Sequence, residues 1–273
     1  MASLVAGGNY QAVAMGTASL LQAMKGTAIP AMTLEDEPST PFRGLMLDVA
    51  RSYNDIEVLI QAVTYCRLYK LNYLHLHLTD DQAFMFPSAK FPKLGSQVGW
   101  LLGSAPGKSP YDPGRIRELV RFADDRGVTI IPEIEMPGHS GAFQRDMPEV
   151  FGVKNPQTGK FEGKGVINVA NEKAYEVLDE LLGEVAEVSK SSPYIHIGGD
   201  ETWYVDFVAS DEAKAFMKEK NLPDTGHLHA YFLNRMNAIV KKHGRRTIVW
   251  DELDPKLVDK DLLVFAWGAG HEG

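Results

Sequence analysis

From Arg43 onward the chain alternates short apolar runs with single helical segments, an order that few folds can accommodate. The first run, Gly44-Leu-Met-Leu-Asp-Val49, reads as a strand. Residues 56–70 then place Ile56, Leu59, Ile60 and Val63 on one helical face, with Asn54 and Asp55 as caps. The same reading predicts strands at 72–78, 128–136, 194–198, 247–250 and 262–267, and helices at 114–126, 172–190 and 227–243. Most of the strands are apolar on both faces, the mark of a parallel sheet covered by helices.

Two topologies satisfy that order, an open doubly wound sheet and a closed barrel. The polar residues choose between them. Arg51, Asp80, Glu135 with His139, Asp200 with Glu201, and Trp250 fall at the C-terminal ends of five different strands. A ring of functional groups drawn from many strand ends belongs to a barrel. An open sheet gathers its site at one switch point, and no glycine fingerprint follows the first strand here. The expected fold class is therefore α/β, a (β/α)8 TIM-type barrel. Only six of eight strands can be found, and the closing Gly-Ala-Gly-His-Glu-Gly of 268–273 cannot supply two more, so a truncated barrel is expected. Residues 1–40 do not read as barrel. Residues 13–24 suggest one helix and 29–41 a Pro-rich lead-in, which together read as the tail of a preceding domain plus a linker, leaving 41–273 as the partial barrel.

Composition narrows the partners. The net charge is −8 and no basic stripe is present, which argues against nucleic acid and suits a neutral or cationic ligand. The single cysteine, Cys66, cannot form an internal disulfide and reads as a buried, inert thiol. No run approaches the roughly 20 apolar residues of a membrane span. No basic residue precedes Lys25, so no secretory leader is expected; the compartment stays open.

The most specific string is His196-Ile-Gly-Gly-Asp-Glu201, directly after an apolar run. Paired glycines let a ligand approach the backbone. Neighbouring strand residues point to opposite faces, so Asp200 and Glu201 share a pocket only if the chain turns there. The plainer alternative is a glycine turn with a helix-capping Asp. His75-x-His77 places two imidazoles on one strand face, which also fits a metal-dependent hydrolase. Against that reading, strands five and six end in Trp250 and Trp267, where such barrels place histidines; neither a metal nor another cofactor is expected.

Four strings occur in order: Arg43-Gly-Leu-Met-Leu-Asp-Val-Ala-Arg51, His75-Leu-His-Leu-Thr-Asp-Asp81, Pro132-Glu-Ile-Glu-Met-Pro-Gly-His139 and His196-Ile-Gly-Gly-Asp-Glu201. Together they resemble glycoside hydrolase family 20, the β-N-acetylhexosaminidases, over about residues 41–267. The resemblance extends to residues 1–40, which are similar to the end of the small α/β domain that precedes the barrel in that family. It implies an enzyme that removes terminal β-linked N-acetylglucosamine or N-acetylgalactosamine from oligosaccharides or glycoconjugates. The implied mechanism is retaining, with the substrate's acetamido oxygen as nucleophile. Glu201 would be the general acid and then base, and Asp200 would orient the acetamido group. Arg51 would bind sugar hydroxyls, Trp250 and Trp267 would wall the pocket, and Asp80 and His139 would support the acid. Glu135 stands where many members carry Asp, and its role is less defined. Trp203 and Tyr204 could line the leaving-group side. The family's tyrosine and acidic residue of strand seven, and its tryptophan and glutamate of strand eight, have no counterparts here. That makes a catalytically inactive carbohydrate-binding fragment the alternative.

Overall fold

The computed structural model describes residues 4–97 and 110–267. It opens with helix α1 (Tyr10–Gln22), then strand β1 (Gly44–Asp48), α2 (Ile56–Leu68), β2 (Tyr73–His77), α3 (Pro113–Asp124) and β3 (Thr129–Glu133). An excursion follows, with α4 (Gly141–Asp146), α5 (Pro148–Phe151) and the two-stranded ribbon β4 (Val153–Lys154) and β5 (Phe161–Glu162). The alternation resumes with α6 (Glu172–Val188), β6 (Tyr194–His196), α7 (Val205–Val208), α8 (Asp211–Lys220), α9 (Thr225–Lys242), β7 (Arg246–Trp250) and β8 (Leu263–Phe265). The strands at 44–49, 72–78, 128–136, 194–198, 247–250 and 262–267 are all present, with shorter or slightly shifted ends. The stretch after Glu201, for which no helix was expected, holds α7 and α8, and the loop after β3 holds α4, α5 and the ribbon. Residues 268–273 lie outside the described residues.

Local chemistry starts the helices. Asp112 accepts the N–H groups of Gly114 and Arg115 ahead of α3, with Pro113 in the first turn. Asn171 and Asp224 cap α6 and α9 in the same way. Leu74 and Leu76 point out of β2 into the layer of helices, where Leu59, Val63 and Cys66 of α2 are fully buried. Burial pushes the Cys66 thiol up to about 11, as befits an inert sulfur.

The strands form one parallel sheet in the order β1-β2-β3-β6-β7-β8. Its register sets Asp48 beside His77, His77 beside Glu133, and Glu133 beside His196. The sheet is strongly curled. Three strands separate β2 from β8, so a flat sheet would hold them about 19 Å apart. Instead the rings of His75 (β2) and Phe265 (β8) lie 6.2 Å apart, and Phe42, just before β1, lies 5.2 Å from Phe265. Tyr73, His75, Tyr194, His196, Trp250 and Phe265 pack together inside this curl. The result is a half-barrel with an aromatic lumen, an incomplete TIM-type barrel. Among the described residues, β1 and β8 are its free edges.

Helix α1 lies against the outside of the half-barrel. Arg67 of α2 donates to Thr17, Gln22 donates to the Leu68 carbonyl, and Tyr10 donates to the Asp125 carbonyl. No helix among the described residues is long and apolar enough to cross a membrane.

Candidate active site

The C-terminal strand ends bring most of the expected residues together. Arg51, three residues beyond β1, donates to Asp48 Oδ2 at 2.9 Å and lies 2.7 Å from Asp80 Oδ2. Its guanidinium also lies 3.4 Å from His139 Nδ1. His139 Nε2 is 3.2 Å from Glu201 Oε2 and 3.9 Å from Asp200 Oδ2. Both carboxylates thus face one imidazole.

Backbone turns make that possible. Gly198 and Gly199 have φ of +74° and +99°, and Glu201 itself has φ +42°. A left-handed non-glycine residue costs roughly 1–2 kcal/mol. Here Glu252, two residues past β7, accepts the Glu201 N–H at 2.7 Å and holds the turn. Gly198 is required for space as well, because a Cβ there would lie 1.8 Å from Glu135 Oε1. On the far side of the loop, Tyr204 is buried and its hydroxyl lies 3.3 Å from His229 Nδ1 on α9.

Beneath this rim lies a buried polar cluster. Glu133 accepts from Trp250 Nε1 at 2.9 Å and from His77 Nδ1 at 2.7 Å. His196 Nδ1 is 3.1 Å from its Oε1, and accepts the Gly198 N–H at 3.0 Å. His75 Nε2 lies 3.0 Å from Oε2 without hydrogen-bond alignment. Burial opposes the Glu133 charge, but the surrounding imidazoles, with the charged His77 bonded directly to it, hold its carboxyl well below the usual range. His77 also donates through Nε2 to Asp80 at 2.8 Å. Burial works against a charged His77 too, yet Glu133 and Asp80 together raise its pKa to about 10. Asp80 resists burial in the same way and stays ionised between His139 and His77. His139 is raised to about 10, first by Asp80 and then by Asp81.

Two carboxyls have the opposite fate. Burial, reinforced by the negative charges of Glu133 and Asp200, pushes Glu135 well up and favours its protonated form. Its Oε1 accepts the Gly199 N–H at 2.9 Å. Burial also raises Asp200, with His139 pulling the other way.

The tryptophans part company. Trp250 is tied into the lumen by its bond to Glu133, with its ring 4.5 Å from that of His196. Trp267 follows β8, is half exposed, and points its backbone N–H at Asp251 Oδ1, 3.5 Å away. Trp203 is exposed while its neighbour Tyr204 is buried. Glu133, His77, His196 and Glu252 were not foreseen as parts of the site. A signal existed for some of them: Glu133 shares its strand face with Glu135, and His77 with His75. His75, Glu133 and His196 bring ligand atoms within 4.8 Å of one another, as do His139, Asp200 and Glu201. In the first group Glu133 already has its charge met by His77.

The family model for the catalytic domain of glycosyl hydrolase family 20 matches residues 41–272. The chain belongs to this family. It is 30% identical to a beta-hexosaminidase of Porphyromonas gingivalis over 90% of its own length and 32% of the relative's. A beta-hexosaminidase of Vibrio furnissii is 30% identical over 92% of this chain and 44% of that protein. Among solved structures, a Flavobacterium johnsoniae chitobiase superposes with a TM-score of 0.81 at 32% identity, covering 95% of this chain and 39% of that one. A Vibrio harveyi exo-β-N-acetylglucosaminidase in complex with N-acetylglucosamine gives a TM-score of 0.77 at 27% identity, covering 94% and 44%. The chain therefore spans less than half the length of these family 20 relatives.

Proposed function

We propose that this family 20 chain carries the acid-catalytic and sugar-binding side of a β-N-acetylhexosaminidase. It would act on oligosaccharides or glycoconjugates that end in β-linked N-acetylglucosamine or N-acetylgalactosamine. The observation that carries the reading is Asp200 Oδ1, which is buried and has no hydrogen-bond partner among the described residues, beside Glu201 and His139. A buried acceptor left open costs free energy until a donor arrives. The N–H of a 2-acetamido group is such a donor.

On this reading the acetamido oxygen attacks the anomeric carbon while Glu201 gives its proton to the glycosidic oxygen. The carbon–oxygen bond breaks, its electron pair stays with the leaving group, and an oxazolinium forms. Glu201 then takes a proton from water as that water attacks the anomeric carbon, the oxazolinium opens, and the configuration is retained. Asp200 accepts the acetamido N–H and balances the positive charge. The His139 imidazole lies beside both carboxylates, close enough to bias the Glu201 charge without an aligned hydrogen bond, with Asp80 behind it. Arg51, gripped by Asp48 and Asp80, keeps its remaining donors for sugar hydroxyls. Trp250 and Trp267 would wall the sugar, and Glu135, as a neutral acid, would brace the Gly199 turn that carries Asp200. Residues 1–40 are assigned to the end of a small preceding α/β domain and its linker.

The test is Asp200→Asn. Because the contact matters more in the transition state than in the ground state, kcat should fall on the order of 10²–10³ with little change in KM. A thiazoline mimic of the cyclised intermediate should bind this variant much more weakly, and plain glucosides should not be turned over. A covalent ester on Asp200 after treatment with a 2-fluoro glycoside would overturn the assignment. A second reading follows from the chain's span of its relatives, a binding unit without turnover. Thiazoline binding with no hydrolysis of an activated aryl glycoside would select it.

A further inference from the structure

Tyr204 and His229 form a buried polar pair to which the reaction above gives no role. Both are under a tenth exposed, and the Tyr204 hydroxyl lies 3.3 Å from His229 Nδ1. Buried polar groups are placed where something needs them. We infer that His229 is a positioning residue for Asp200, gripping the Gly199–Asp200 peptide from the α9 side with its ring oriented by Tyr204. The inference rests on the hexosaminidase reading above.

Packing puts α9 directly against the turn. Gly199 has φ +99°, a conformation open to glycine. A Cβ built there would lie 3.4 Å from Leu233 Cδ2 and 3.9 Å from both Cε1 and Nε2 of His229. His229 and Leu233 stand one helical turn apart, so they share a face of α9. On its other side the turn is held by Glu135, whose Oε1 accepts the Gly199 N–H at 2.9 Å. The peptide that carries Asp200 is thus held between the end of β3 and α9.

The ring chemistry selects an imidazole for this place. Burial lowers His229 to about 4, so the ring is neutral near pH 7, with one nitrogen a donor and the other an acceptor. Burial also pushes the Tyr204 hydroxyl well up, so it keeps a proton to give. Tyr204 donates to Nδ1, which leaves the ring proton on Nε2. That nitrogen has no aligned partner among the described residues, and the Gly199 backbone is the polar group beside it. A buried N–H without an acceptor is costly, so it is drawn to the Gly199 carbonyl. Thr202 Oγ1 donates to the same oxygen at 3.3 Å. Fixing that carbonyl fixes the peptide plane from which the Asp200 side chain departs. Small misplacements of a reacting group are expensive in rate, and a locked supporting side chain prevents them.

The test is a double-mutant cycle read by binding. A thiazoline mimic of the cyclised intermediate is titrated into the full chain by calorimetry. His229→Leu should weaken it about tenfold, equal to about 1.4 kcal/mol. His229→Gln, whose amide offers both an N–H and an oxygen, should keep most of the affinity, and Tyr204→Phe should fall between. In an Asp200→Asn background, His229→Leu should add no further loss, because the group it positions is gone. With an activated aryl glycoside, His229→Leu should lower kcat and leave KM nearly unchanged. Native affinity in His229→Leu, or the same loss in both backgrounds, would reduce His229 to packing and overturn the inference. Should His229→Leu fail to fold, Tyr204→Phe, which removes one oxygen, takes its place in the cycle. If the native chain binds no thiazoline, the hexosaminidase reading fails and the grip is read by hydrogen exchange instead. The Gly199 amide should then exchange faster in His229→Leu and return toward native in His229→Gln, while β6 and β7 amides stay unchanged. An unaltered Gly199 amide would overturn the inference by itself.

Discussion

The lumen and the rim of the half-barrel handle charge in opposite ways. In the lumen, His75, His77, Glu133 and His196 are at most 4% exposed, and every charge has a partner of opposite sign or an N–H to accept. On the rim, Glu201 has 46% of its side chain exposed and Trp203 stands 71% in solvent. Buried charges are fixed because each lost partner is expensive. Exposed groups are cheap to change and free to meet a ligand. The lumen therefore sets geometry and protonation, while the rim is where a substrate can be grasped.

The harshest way to break this contrast is Glu133→Ala. Removing the hub leaves the His77 imidazolium and the Trp250 N–H without their main acceptor. Breaking a buried pair in this way typically costs 3–5 kcal/mol, about what is predicted here. Urea denaturation should show it, and a loss under about 1 kcal/mol would mean the cluster is not the keystone of the lumen.

A second test uses pH. The folded His77 has its pKa raised from 6.5 to about 10. Its stabilising contribution is therefore complete below about 6.5 and is lost as pH climbs toward about 10. His196 is the reverse case, lowered by burial to about 4. Its neutral ring costs nothing above about 6.5, and stability falls as pH drops from there toward about 4. Urea midpoints measured across pH should thus fall on both sides of neutrality, and His77→Gln should lessen the alkaline fall, leaving the share that His139 carries, and spare the acid limb. An unchanged alkaline limb in that variant would remove His77 from the account.

Rim changes should be milder. Glu252→Ala frees the Glu201 N–H from its acceptor and should cost about 1 kcal/mol. Faster hydrogen exchange at the Glu201 amide would report the released turn; unaltered exchange would show that the left-handed backbone holds without Glu252. Smallest of all, Trp203→Ala should move stability by no more than about 0.5 kcal/mol, however much it alters ligand preference.

The strand order, the curl and most of the converging residues were legible because they depend on local patterns. Apolar runs gave the strands, and the position of Arg51, Asp80, His139 and Asp200-Glu201 just past those runs pointed to one end of a barrel. The short helices α7 and α8 were not legible, since Asp211–Lys220 is largely polar and buries only Ala213 and Phe216. Glu252 was equally hidden, because its partner is the backbone of a residue 51 positions away.

Glu133 and Glu135 mark where sequence stops and tertiary structure begins. By itself the sequence determined that the two point to the same face, because strand side chains repeat every two residues. It could not assign them opposite states. Glu133 is ionised because β2 and β7 bring His77 and the Trp250 N–H to it. Glu135, one step further along, meets the negative charges of Glu133 and Asp200 instead, which favour its protonated form. Parity along a strand is a local property of the backbone. The charge a buried group carries depends on distances between strands, and those exist only once the sheet has curled.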